Sequence, residues 1–148
     1  MDDALEQASL GLDEGELPIG AVAAADGEIV ARAYWQWGDG LLAHPELIVL
    51  QQANRRGITL VTTLEPCLLC MSAAMFAFAE RIVFALESPT DGGTSILDVW
   101  DPAEGSVSPY GRPEIVGGVR RDESAALVRE FLERNGGSPF APWASTLV

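Results

Sequence analysis

Three side chains in this sequence can hold a soft divalent metal, and they sit in two short stretches. Thr63-Leu64-Glu65-Pro66-Cys67-Leu68-Leu69-Cys70 contains the only two cysteines, and His44-Pro45-Glu46 contains the only histidine. Two cysteines three apart cannot build a disulfide scaffold, which leaves a redox pair or a metal site. Zinc takes thiolate and imidazole ligands in a tetrahedron, and a structural zinc is normally closed by four of them. Only three are on offer here, so the fourth position falls to water or to a carboxylate, and an open position is what catalytic zinc requires. Water on zinc ionises near neutral pH and needs a proton shuttle close by; Glu46, beside His44, is placed for that role. Each piece alone has a plainer reading. A lone histidine is usually structural or on the surface, a C-x-x-C at a helix start can be a thioredoxin-like redox pair, and a glutamate early in a helix often only complements the dipole. Together they are far more specific. A non-catalytic zinc module that binds a partner is the alternative from another class, and Glu46 discriminates: a structural site has no use for a carboxylate beside an open position.

The elements around these residues can position them. Proline is favoured at the first helical position and pushes the preceding residue out of the helical region. His44 is therefore expected to be extended just ahead of a helix that runs to about Asn54 and is broken by Gly57. In that arrangement His44 and Glu46 can converge, although residues two apart within a helix diverge. Ile58 to Thr62 reads as a central strand and Thr63 to Pro66 as a turn. Cys67 then opens a helix through Phe78 that is apolar nearly all round and is expected to be buried. Its positive N-terminus favours thiolates. Arg81 to Leu86 is the next strand, so this strand-helix-strand run implies a parallel pair with a right-handed crossover.

Upstream, Asp3 to Leu12 is a short amphipathic helix, with Leu5, Ala8, Ser9 and Leu12 on one face. Pro18 to Ala25 and Glu28 to Tyr34 are strands joined by the hairpin signal Asp26-Gly27. Trp35 to Gly40 is a loop whose two tryptophans serve as core lids or as a stacking surface, the core being the commoner fate. Downstream, Ser88 to Gly111 is a long loop rich in glycine and proline, anchored by Ile96, Leu97, Val99 and Trp100; loops of that length are usually functional or mobile. Pro113 to Val119 is a weak last strand. Asp122 can cap a final helix with Ala126, Leu127, Phe131 and Leu132 as its stripe, stopped by Asn135-Gly136-Gly137. Residues 138–148 carry Phe140 and Trp143 and are too apolar for a plain disordered end. They are expected to fold back as a lid or as a contact with a partner subunit, after a single domain over residues 1–137.

The chain has 148 residues, 48% of them hydrophobic, which suits one core. No apolar run is long enough for a membrane span, and the acidic start Met1-Asp2-Asp3-Ala4 is unlike a signal peptide, so a cytoplasmic protein is the default expectation. The net charge is −13 and all nine basic residues are arginine. A field of that sign repels phosphate backbones, and the pairs Arg55-Arg56 and Arg120-Arg121 read as solvated element ends. Charge therefore favours a small, weakly charged substrate and disfavours nucleic acid.

The pattern His-x-Glu with Pro-Cys-x-x-Cys is a known signature of zinc deaminases. On it the sequence resembles the cytidine and deoxycytidylate deaminase superfamily. Pro18-Ile19-Gly20-Ala21-Val22, Thr63 to Cys70 and Arg81-Ile82-Val83-Phe84 look like its purine branch of tRNA adenosine deaminases and guanine or guanosine deaminases. The resemblance runs from about Ala4 to Arg134. It implies a three-layer α/β/α sandwich around a five-stranded mixed sheet, a homodimer and one zinc ion per chain held by His44, Cys67 and Cys70. It also implies that Glu46 moves protons while zinc-bound hydroxide attacks the amine-bearing ring carbon and ammonia leaves. Two departures touch recognition. The family usually has alanine or cysteine where Pro45 stands, and its N–H often bonds the base; proline has none to give. Trp35 or Gln36 stands where the family usually has a substrate-contacting asparagine. Trp35, Gln36, Trp37, Pro45, Pro66 and Trp143 are the candidate substrate contacts. The expected substrate is a free base or nucleoside, purine or purine-like, with a tRNA adenosine deaminase as runner-up and a cytidine-type pyrimidine nucleoside deaminase third.

Overall fold

The computed structural model describes residues 1–101 and 108–148. Its centre is a five-stranded sheet ordered β2-β1-β3-β4-β5, built from β1 (Gly20–Ala25), β2 (Glu28–Tyr34), β3 (Thr59–Leu64), β4 (Arg81–Leu86) and β5 (Glu114–Val116). β1 runs antiparallel to β2 and β3, whereas β3, β4 and β5 are parallel, so the sheet is mixed. The β1–β2 hairpin turns at Asp26 and Gly27, both with positive φ (55° and 82°), which is the type I′ geometry that suits the strand twist. β3 is central: Thr62 lies opposite Ala21 of β1 and opposite Phe84 of β4.

Helices cover both faces, completing the α/β/α sandwich. On one side α2 (Pro45–Ala53) and α3 (Leu68–Phe76) bury Val49, Leu50, Met71, Ala74 and Met75 against Ala21, Ala23, Leu60 and Ile82. On the other side α1 (Asp2–Asp13) and α5 (Arg121–Arg134) pack with Leu12, Ala125, Val128 and Phe131. The small residues of β1 have a steric reason. A Cβ on Gly20 would come 2.2 Å from the carbonyl oxygen of Ala4 and 2.5 Å from the nitrogen of Ala8, so α1 lies directly on that strand.

Several expectations are corrected. α3 is not buried all round: Leu68, Leu69 and Phe76 are 54%, 44% and 62% exposed, because only one side of the helix meets the sheet. α2, by contrast, ends where expected, at Asn54, held in the left-handed conformation (φ 44°). β3 runs on to Leu64, because Leu64 stays paired with Leu86 of β4. Asp122 does not cap α5; it lies in the first turn, and left-handed Arg120 precedes the helix. The stripe of α5 is Ser124, Ala125, Val128 and Phe131, with Ala126 on the solvent side. The last strand shrinks to Glu114–Val116. The described part of the long loop contains α4 (Ile96–Val99); its Pro102 and Gly105 lie outside the described residues. Residues 138–148 fold back, and α6 (Ala141–Ala144) packs on α5.

Candidate active site

The two sequence stretches meet. Pro45 is the first residue of α2, and His44 before it is extended (φ −68°, ψ 135°), as sterics ahead of a proline require. Cys67 is likewise extended ahead of α3 (φ −63°, ψ 168°), and Cys70 lies in the first turn. Both helices thus present their positive ends to one point, which favours thiolates there. His44 Nδ1 lies 3.6 Å from Cys67 Sγ and 3.4 Å from Cys70 Sγ, and the two sulfurs are 3.5 Å apart. Three ligands on a zinc tetrahedron, with bonds of about 2.3 Å to sulfur and about 2.0–2.1 Å to nitrogen, would be separated by about 3.6–3.8 Å. The triangle fits zinc, and one tetrahedral corner is left over. Among the described residues, His44, Cys67 and Cys70 form the one cluster able to hold a metal ion.

Cys67 is lowered to about 4, first by its hydrogen bond with Cys70 and then by His44, whereas the same bond and burial push Cys70 up. The hydrogen bond with Cys67 raises the pKa of His44. Glu46 reaches the same place from the first turn of α2. It is 4% exposed. Burial raises its pKa, opposed by hydrogen bonds that include one from Thr62. Its Oε1 accepts from Thr62 Oγ1 at 2.8 Å, and its Oε2 lies 3.5 Å from Cys70 Sγ.

A cavity of about 270 Å³ opens beside the cluster, walled by Leu17, Ile19, Trp35, Pro45, Phe140 and Trp143. A larger groove of about 950 Å³ over α2 and α3 contains, among the described residues, no metal-ligating or proton-transferring group, so the chemistry belongs to the smaller cavity. The Trp35 ring meets His44 edge-on at 5.3 Å and Phe140 at 6.0 Å. Its Nε1–H is buried without a partner among the described residues. Trp37 is 54% exposed rather than core; it packs on Phe140 at 4.7 Å, outside the cavity wall. Gln36 turns away, its amide reaching Glu14 and Tyr34. Pro66 is buried behind the wall, and its carbonyl accepts from Gly93 N at 2.8 Å. Trp143 lines the mouth and donates from Nε1 to Asp91 at 3.4 Å.

Sequence reasoning did not single out Asp91, Glu65, Phe140 or Thr62 as site residues. Glu65 secures the segment from Ser88 to Thr94. Its carboxylate accepts from Ser88 N (3.0 Å), Thr94 N (3.3 Å) and Thr94 Oγ1. A Cβ on Gly92 would come 2.3 Å from that carboxylate, so glycine there lets the loop close on it. Glu65 was readable as an acidic residue within the cysteine motif, and Phe140 as an aromatic in an over-apolar tail. Nothing local marked Asp91 or Thr62.

The cytidine and deoxycytidylate deaminase zinc-binding region matches residues 1–86. A tRNA-specific adenosine deaminase of Bacillus subtilis is 31% identical over 89% of this chain and 86% of its own length. A tRNA(Ile)-lysidine synthase of Deinococcus radiodurans is 36% identical over 99% of this chain, which spans 27% of that protein. Among solved structures, one from a study of A-to-I editing at the wobble position of transfer RNA superposes with a TM-score of 0.75 at 29% identity, covering 86% of this chain and 96% of that one. A guanine deaminase from Nitrosomonas europaea, at 21% identity and TM-score 0.67 over 86% of this chain and 80% of its own, shares the fold.

Proposed function

The chain belongs to the cytidine and deoxycytidylate deaminase family, as a hydrolase acting on C–N bonds with zinc as its cofactor, and from there we propose that it deaminates an adenine-type base carried by transfer RNA. The observation that supports this most is the likeness, over nearly the whole chain, to proteins named as tRNA-specific adenosine deaminases. It outweighs the expectation of a free base drawn from net charge. The cavity suits the reading too. At about 270 Å³ it falls below the pockets of drug-sized ligands, about 300–1,000 Å³. That is room for one ring system, as when an enzyme takes a single base out of its stack. The faces of Trp35, Phe140 and Trp143 offer it stacking, worth about 1–3 kcal/mol per base.

In this reading His44, Cys67 and Cys70 hold the zinc, which supplies an activated water when bound. Glu46 does the proton work. Its buried carboxylate takes a proton from the nucleophilic water, passes it to a ring nitrogen and then delivers one to the departing amine, which leaves as ammonia. Pro45 has no N–H, so it shapes the cavity and the base must find its hydrogen bonds elsewhere.

A second reading, a free purine base or nucleoside, is favoured by the charge of the mouth. Glu65 and Asp91 line it and no arginine does, whereas RNA binding draws on cations along the backbone. One experiment separates the two. Purified protein is given an anticodon stem-loop and, separately, a panel of free bases and nucleosides, with Glu46→Ala as the blank. Inosine in the RNA, read by mass spectrometry, supports the proposal. Ammonia from a free base with the RNA untouched overturns it in favour of the second reading. Stoichiometric zinc with neither product would point to the non-catalytic module.

A further inference from the structure

The hydroxyl of Thr62 has one partner among the described residues, the carboxylate of Glu46. Successive residues of a strand face opposite sides of the sheet, so Thr62 and Thr63 serve different layers. The Thr63 hydroxyl accepts from Gly20 N at 3.0 Å and donates to the Pro18 carbonyl at 3.3 Å, on the side of α1 and α5. Thr62 faces α2 and α3. It is fully buried, in the central strand, among neighbours that are otherwise apolar. Burying a hydroxyl there costs free energy unless it is bonded. Its bond, at 2.8 Å, goes to Oε1 of Glu46.

That bond divides the labour between the two carboxylate oxygens. Oε1 is tied to the most deeply embedded strand of the sheet, while Oε2 lies 3.5 Å from Cys70 Sγ, on the side of the metal donors. A free glutamate has three rotatable bonds to fix, and ordering such a side chain costs conformational entropy. The tether orders it in advance and references it to β3 instead of to the first turn of α2 alone.

We propose that Thr62 is a positioning residue for the deamination: by holding Oε1 of Glu46 it leaves Oε2 as the oxygen that exchanges protons with the nucleophile and the ring. The proposal rests on Glu46 being the proton shuttle, and it applies to a base on RNA and to a free base alike.

The test compares Thr62→Val, which keeps shape and strand propensity but removes the donor, with Thr62→Ser, which keeps the donor. On the substrate that the screen above identifies, Thr62→Val is expected to lower kcat by about 10- to 100-fold, the scale of a small misplacement in an active site, with KM little changed and one zinc per chain. Thr62→Ser restores kcat to near the parent value. A readout independent of turnover is a thermal-unfolding cycle on zinc-loaded protein with Thr62→Val, Glu46→Ala and both changes; the two should couple, so that the double variant loses less than the sum. Additive losses, or an unchanged kcat in Thr62→Val, overturn the proposal. Equal loss in Thr62→Val and Thr62→Ser makes Thr62 a packing residue and also overturns it. Glu46→Ala separates the levels: if it retains turnover, the shuttle reading itself fails and the proposal falls with it. Should Thr62→Val not fold, Thr62→Ala replaces it in the same comparison.

Discussion

Replacing Glu65 by alanine should loosen the wall of the active site without touching a metal ligand. The Glu65 carboxylate accepts from Ser88 N, Thr94 N and Thr94 Oγ1, and these bonds bracket the segment that brings Asp91 to the mouth. Removing the acceptor strands two backbone donors and one hydroxyl, of which Ser88 is buried. At about 1–3 kcal/mol for each unsatisfied buried group, and less where water can enter, the loss is about 2–4 kcal/mol. A domain of this size loses about 2–4 °C per kcal/mol, so the midpoint should fall by about 5–15 °C. Glu65→Gln keeps one acceptor oxygen, and its amide group can serve only one side, so it should lose about half as much. Hydrogen-exchange mass spectrometry on the peptide covering residues 87–95 should report the opening directly. Gly92→Ala provides a cross-check, since its Cβ would collide with the same carboxylate at 2.3 Å. Its cost should shrink once Glu65 is already alanine. Unchanged exchange in Glu65→Ala, or full additivity with Gly92→Ala, would refute the reasoning.

Two further outcomes are expected. Phe140→Ala removes two edge-on aromatic contacts, with Trp35 at 6.0 Å and Trp37 at 4.7 Å, worth about 0.5–1.5 kcal/mol each; tryptophan quenching by acrylamide should rise, and a parent-like quenching curve would show that the tail does not cover the cavity. Zinc binding should strengthen as pH rises and release protons, because the ligands must be deprotonated. With Cys67 already lowered to about 4, the protons come from Cys70, which is pushed up, and from the part of His44 that its raised pKa keeps charged. Calorimetry at pH 7 in buffers of different ionisation enthalpy should count about one to two protons per zinc; none would contradict a Cys70 that is protonated before the metal binds.

The fold and the metal triangle were legible because each depends on a local rule. Pro45 forces His44 to be extended, Asp26-Gly27 forces the hairpin, and the spacing of Cys67 and Cys70 forces one helix turn. The misreadings share the opposite cause. Leu68, Leu69 and Phe76 satisfy an all-round apolar pattern, yet a helix lying on a single sheet can bury only one side of it. Asp122 has the chemistry of a cap, but the chain enters α5 two residues earlier, through Arg120. Asp91, Phe140 and Thr62 became site residues only through tertiary approach. Asp91 and Trp143 are 52 residues apart in sequence, and Thr62 and Glu46 are 16 apart.

Reaction and recognition are therefore carried by different kinds of structure. The metal donors and Glu46 stand on the first turns of two helices and are held against the central strand, where a shift of one residue would break the triangle. The cavity walls come from the segment after β2, the loop after β4 and the C-terminal residues around α6, whose conformations are maintained by side-chain contacts such as Glu65 to Thr94 and Trp143 to Asp91. Pro45 belongs to both: it sets the backbone of His44 and also lines the cavity, and it gives up a backbone donor in doing so. Replacing it by alanine would return that N–H while leaving an acceptable first helical residue. A gain in substrate affinity from Pro45→Ala, with zinc content unchanged, would mean that the missing donor is a real deficit of this cavity. A loss would mean that the walls have been rebuilt around a base that does not use it.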